Sequence, residues 1–145
     1  MRFEEVEELL KNYNSIKLQI YIFKEELSSI ENTGVSAINY DFKSSPTNEI
    51  QRPTENEALY ITQRKKQLEM KIFILEKKIN IIDRALEHLE DTERDIITMR
   101  FIKNEPFYKI CLEVHVSERW AREIRRRAIT KIASFIDIKN GQRRA

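Results

Sequence analysis

Glycine and proline are nearly missing from this chain, with two and three copies in 145 residues. Sandwiches and barrels need turn residues at every strand reversal, so so poor a supply argues for helices. Charged residues at 34% and hydrophobic ones at 41% are too balanced for a disordered chain. Cysteine occurs once, as Cys111, which excludes an internal disulfide framework and suits a reducing compartment. Two histidines, His88 and His115, cannot build a metal cluster with that single thiol. There is no glycine-rich phosphate loop and no G-x-S-x-G elbow. The carboxylate pairs Glu25-Glu26 and Glu90-Asp91 are more simply solvated helix charges or caps. The expectation is a non-enzyme with no cofactor, no metal and no small-molecule substrate. No apolar run approaches the roughly 20 residues of a membrane span. The opening "MRFEEVEELLKN" turns acidic at its fourth residue, unlike a signal peptide. A cytoplasmic protein with no membrane partner is expected.

What is present is unevenly distributed. Net charge is only +2, yet residues 118–145 hold nine Lys/Arg against three Asp/Glu, or +6. The other 117 residues carry 17 basic and 21 acidic groups, or −4. A basic end on an acidic body suits either a local polyanion-binding surface or a solubilising face.

Apolar spacing then reveals long helices. Val6, Leu9, Tyr13, Ile16, Ile20, Phe23, Leu27 and Ile30 alternate steps of three and four. Ile61, Lys65, Leu68, Ile72, Leu75, Ile79, Ile82, Leu86 and Leu89 do the same, with Lys65 the one polar member. Such steps keep one seam turned toward a partner helix. Between the two tracts lie Gly34, Pro46 and Pro53 in a polar stretch. The spacing therefore predicts residues 1–90 as a long, coiled-coil-like antiparallel helical hairpin with a loop over about 32–55. Thr54-Glu55-Asn56-Glu57 reads as a capping box opening the second helix. Leu10, Leu18, Tyr21, Phe73, Ile74 and Ile81 lie off the seams. Such a surplus either pairs two copies through the arm or packs on the C-terminal domain, and a homodimer is the expectation.

After Leu89 the pattern shortens. Asp91 is expected to cap a helix from about Thr92 to Lys103, and Asn104-Glu105-Pro106 to end it. A short helix from Phe107 to Val114 follows, with Phe107, Ile110 and Cys111 inward. "HVS" makes a turn, Ser117 caps the next helix, and that helix runs from Glu118 to about Ile136. In it Ala121, Ile124, Ala128, Ile132 and Phe135 share one face, while Glu118, Arg119, Arg122, Glu123, Arg125 and Arg126 point elsewhere. A disordered basic tail has no reason to keep that period. Two helices joined by a tight turn, the second basic on its outer face, form the helix-turn-helix arrangement, whose second helix enters a DNA major groove. Residues 91–138 are thus expected to form this domain, and 139–145 a basic tail.

The stretch "LEDTERDIITMRF…KICLEVHVSERWAREIRRRAITKI" resembles region 4 of bacterial primary sigma factors. The similarity lies in Glu93-Arg94, Ile96-Ile97…Arg100-Phe101, Val116-Ser117 and Ala128-Ile129…Lys131-Ile132. The layout of the whole chain is similar to the ArpU/RinA-like phage and prophage transcriptional regulators. These resemblances imply a phage- or prophage-encoded regulator of late or packaging genes, acting in the bacterial host on double-stranded DNA and on RNA polymerase as a further partner. Cys111 stands where the family's small residue is usual, and His115 replaces the turn glycine. Glu118-Arg119 reverses the family's order, so no promoter preference is carried over. By this resemblance Glu118, Arg119, Arg122 and Glu123 face base edges or nearby phosphates, and the cap Ser117 belongs to the DNA-binding set. Arg119 can bind guanine bidentately and Glu123 can accept from cytosine. Arg125, Arg126 and Lys131 are assigned to phosphates or acidic protein surfaces. Trp120 either covers the edge of the core or lies on the DNA backbone. The alternatives are a terminase-small-subunit-like packaging protein and an interaction module docking on RNA polymerase.

Overall fold

The computed structural model describes residues 2–41 and 55–142. Among them are six α-helices and no strand: α1 Phe3–Lys11, α2 Tyr13–Asp41, α3 Glu55–Glu87, α4 Asp91–Ile97, α5 Phe107–Val114 and α6 Glu118–Gln142. A π-helical turn, Thr98–Ile102, continues α4. The chain is all-α, as its glycine and proline scarcity predicts. No helix among the described residues is long and apolar enough to cross a membrane.

The first expected helix is interrupted. Asn12 leaves helical geometry at φ −88, ψ 0, but its N–H still donates to Glu8 O and its carbonyl accepts from Ile16. Asparagine competes locally for backbone hydrogen bonds, which makes it a natural interruption. At the other end, α2 runs on through Gly34 to Asp41, so residues 32–41 are helical where a loop is expected. One glycine costs a helix only about 1 kcal/mol relative to alanine. The remainder of that expected loop, and the Thr54 of the expected capping box, lie outside the described residues.

The chain divides into two compact units: Met1–Lys17 with Lys77–Ala145, and Leu18–Glu76. The boundary expected near residue 90 therefore falls inside the first unit. The reason is burial. Val6 and Leu10 of α1 are fully enclosed, and α1 packs on α6 and on the π turn. Enclosing a leucine is worth roughly 1.5–3 kcal/mol, enough to tie the N-terminus to the C-terminal helices. Leu10 is thus packed on those helices rather than left for a second copy.

Within the first unit, α6 lies against α1, α4 and α5. Ile96, Ile110, Ala121 and Ile124 form one buried cluster, with Met99, Phe107, Cys111, Val114 and Val116 packed around it. Ala128, Ile129, Ile132 and Ile136 extend the buried face of α6. Phe135, expected inward, is half-buried with its ring 4.8 Å from that of His88. The buried stripe is wider than the expected face, adding Ile129 and Ile136, because α1 covers α6 as well as α4 and α5. Helix α6 also passes Ile136 and continues to Gln142, so the expected tail begins inside it, and 143–145 lie outside the described residues.

Helix α4 starts one residue earlier than expected. Glu90, not Asp91, is its N-cap, and its N–H donates to the Glu93 carboxylate at 3.1 Å. The π turn closes with Lys103 N–H donating to Thr98 O at 2.9 Å, a five-residue span. The expected helix to Lys103 is therefore two helical types in series.

In the second unit, Leu68 and Ile72 are buried, and Ile20, Phe23, Leu27 and Ile30 are half-buried. Arg64 donates to Glu26 Oε1 through Nε at 3.0 Å and Nη2 at 2.8 Å. Lys65, the polar member of its seam, pairs with Glu31 at 3.2 Å, and Lys24 with Glu76 at 2.7 Å. Leu18 (58%) and Tyr21 (62%) remain exposed, as do Phe73 and Ile74.

Candidate nucleic-acid interface

Helices α5 and α6 are joined by His115, Val116 and Ser117 alone. That short link needs one residue in the left-handed region, and His115 supplies it at φ 60, ψ 43. Histidine accepts this conformation better than most residues with a Cβ. The Val116 N–H then donates back to Cys111 O at 3.3 Å, a C-terminal closure of α5. Ser117 caps α6: its Oγ accepts from the Trp120 N–H at 3.1 Å, three residues on. These contacts set the first turn of α6 at the surface.

Ser117, Glu118, Arg119, Trp120, Arg122 and Arg126 are exposed, and Glu123 is half-buried. Arg122 pairs with Glu118 at 2.7 Å, and Glu123 with Arg127 at 3.4 Å. The Arg127 guanidinium sits 5.0 Å from the Trp120 ring centre, and the indole is 46% exposed. Arg119 and Arg126 have no carboxylate partner among the described residues.

The other two expected contacts are tied into the fold. Arg125 is half-buried and donates through Nη1 to Glu7 Oε1 at 3.2 Å. Lys131 Nζ donates to the buried Glu93 carboxylate at 2.8 Å. That hydrogen bond raises the Lys131 pKa above its usual 10.5. The nine expected positions thus divide between an outward group at the start of α6 and two cations anchored to α1 and α4.

A further cation joins them from outside α6. Arg100, in the π turn, places its guanidinium 4.6 Å from the Phe107 ring centre. Arg122 and Arg125 approach the same ring at 5.3 and 6.0 Å. Together with Arg126 these residues line a cavity of about 360 Å³. Sequence reading places Phe107 in the core and gives Arg100 no site role. Arg100 lies in the π turn, which leaves no mark in apolar spacing.

A family model described as "Protein of unknown function (DUF722)" matches residues 3–134, which takes in α1 to α5 and the part of α6 that carries the basic surface down to Lys131. The chain belongs to the DUF722 family. No curated protein and no solved structure matches it. Among the described residues of this DUF722 chain, no cluster of His, Cys, Asp and Glu is suited to a metal ion.

Proposed function

We propose that this DUF722 protein is a sequence-specific, double-stranded-DNA-binding transcriptional regulator encoded by a phage or prophage. In this reading α5, the turn and α6 form a helix-turn-helix, with α6 entering the major groove. The α2–α3 stretch would be a hairpin arm pairing two copies. One observation carries the reading: a serine-capped α6 follows α5 across a three-residue link in which His115 is left-handed, with Arg119, Arg122 and Arg126 outward on it. Major-groove recognition needs that combination of a helix start at the surface, donors for base edges and cations for phosphates. The similarity of residues 89–132 to sigma region 4, and of the layout to ArpU/RinA-like regulators, supports the same reading and a cytoplasmic site of action in the host.

Selection of bound fragments from a random duplex library, followed by anisotropy titrations, tests it. A recurrent motif with two half-sites is expected. With about six phosphates contacted per dimer, affinity falls roughly a thousandfold between 50 and 200 mM salt. Absence of duplex binding at 50 mM salt overturns the reading. A native mass well above a dimer would favour the packaging-protein alternative.

A second reading has its own support. Tyr108 and Leu112, four residues apart on α5, are 70% and 72% exposed. A large apolar pair at the surface suits a protein contact, so a module docking on RNA polymerase is the competing proposal. It predicts polymerase binding that Leu112→Glu abolishes, without any affinity for DNA.

A further inference from the structure

The cavity beside α6 is lined by Arg100, Phe107, Arg122, Arg125 and Arg126. None of the five is acidic. Four guanidiniums are gathered at one place by means other than full neutralisation. Two of the four have carboxylate partners: Arg122 has the exposed Glu118 and Arg125 has Glu7. Arg100 donates to a backbone carbonyl, Glu105 O, at 3.3 Å, and Arg126 has no carboxylate partner among the described residues. The local balance therefore leaves a surplus of about two positive charges.

The phenyl ring explains how the surplus is held. Arg100 lies 4.6 Å and Arg122 5.3 Å from the Phe107 ring centre, inside the range of a cation–π attraction. An aromatic face positions a guanidinium without cancelling its charge, whereas a carboxylate positions and cancels it. The Arg125 Nε is buried and has no hydrogen-bond partner, although buried donors are nearly always satisfied. A planar guanidinium offers paired N–H groups at the spacing of phosphate oxygens.

We propose that this cavity is a phosphate seat, taking one phosphate group between the Arg100 turn and α6. Phosphate oxygens accept from the guanidiniums, and the phenyl ring forms the apolar side of the seat. The group can be a phosphodiester of bound duplex or a free phosphate. Only the first source rests on the reading above.

The test uses the full chain and two probes. Inorganic phosphate is titrated against chloride at constant ionic strength, and arginine Nε–H signals are followed by NMR. Saturable shifts of Arg125 and Arg100 with phosphate, absent with chloride, are expected. Arg100→Gln and Arg126→Gln should each weaken phosphate binding about tenfold, the scale of one charge-assisted hydrogen bond. Arg84→Gln, on the exposed surface of α3, should not. Circular dichroism confirms that each variant keeps its helix content. Equal responses to phosphate and chloride, or to Arg100→Gln and Arg84→Gln, overturn the seat. A selected duplex is then added to the phosphate-saturated protein. Displacement of phosphate identifies a backbone phosphodiester as the source. Phosphate binding with no duplex binding keeps the seat, assigns it to a free phosphate and rejects the DNA reading.

Discussion

Glu7 and Arg125, 118 positions apart in sequence, meet at 3.2 Å. The contact joins the first helix to the side of α6 and places a carboxylate beside the basic surface. Glu7 also holds Lys11 at 3.6 Å, one turn along. A single acidic side chain thus moderates two cations.

Replacing it by Glu7→Gln should therefore act in opposite directions on stability and binding. Loss of a partly shielded pair costs about 1 kcal/mol or less, which at this size lowers Tm by about 2–4 °C. Affinity for any duplex should rise, and the salt dependence should steepen by up to about one phosphate equivalent. Thermal melts and anisotropy titrations at several salt concentrations read the two effects. Unchanged duplex affinity would show that Arg125 takes no part in binding.

Arg119 and Arg126 should separate recognition from attraction. If Arg119 reads a base edge, Arg119→Ala weakens preference for the selected site over random DNA by about 1–3 kcal/mol. Arg126→Ala should weaken both alike and reduce the salt slope by about one. Equal losses on both DNAs for Arg119→Ala would remove it from base reading.

The turn offers a test independent of any ligand. His115 holds φ 60, a conformation that costs L-residues roughly 1–2 kcal/mol and glycine little. Glycine's greater freedom when unfolded offsets part of that gain. His115→Gly should raise stability by up to about 1 kcal/mol, and the β-branched His115→Val should lower it. Urea unfolding of both variants gives the comparison. Destabilisation by glycine would mean that the imidazole itself makes a necessary contact.

Lys131 makes stability depend on alkaline pH. Its hydrogen bond to Glu93 raises its folded pKa above the usual 10.5. The charged form is therefore favoured by folding. That contribution is complete below pH 10.5 and is lost as pH climbs through the raised value. The gap in urea midpoint between the natural protein and Lys131→Met should hold from pH 7 to 10 and shrink above. A gap that stays constant through pH 11 would sink this assignment.

Leu18 and Tyr21 bear on assembly. Both are exposed in the single chain, and both belong to the apolar surplus on which the proposed pairing of two copies rests. If two copies pair through this arm, the double change Leu18→Glu with Tyr21→Glu should halve the native mass measured by light scattering while leaving the helix content intact. A mass unaltered by the change would place the contact elsewhere.

Much of this architecture is legible in the residues, because packing leaves periodic marks. All eight members of the first seam are buried or half-buried, and in the second only Ile61 is exposed. The bounds of α5 and the Ser117 cap follow equally from local signals, a proline before and a hydroxyl after. Asn12 shows where legibility stops, since the apolar steps pass through it unbroken. The ion pairs Glu7–Arg125 and Glu93–Lys131 stop it again. Each joins helices distant in sequence, and no spacing rule connects them. Arg125 and Lys131 look like any outward cation until the surfaces they meet are known.

The wider turn at Thr98–Ile102 has one more effect. Its hydrogen bond from Lys103 to Thr98 spans five residues where ordinary α-winding spans four. Arg100 lies on that turn, with its guanidinium facing the Phe107 ring. The turn thus contributes one wall of a basic recess shared with α6, where the linear order shows only an isolated arginine.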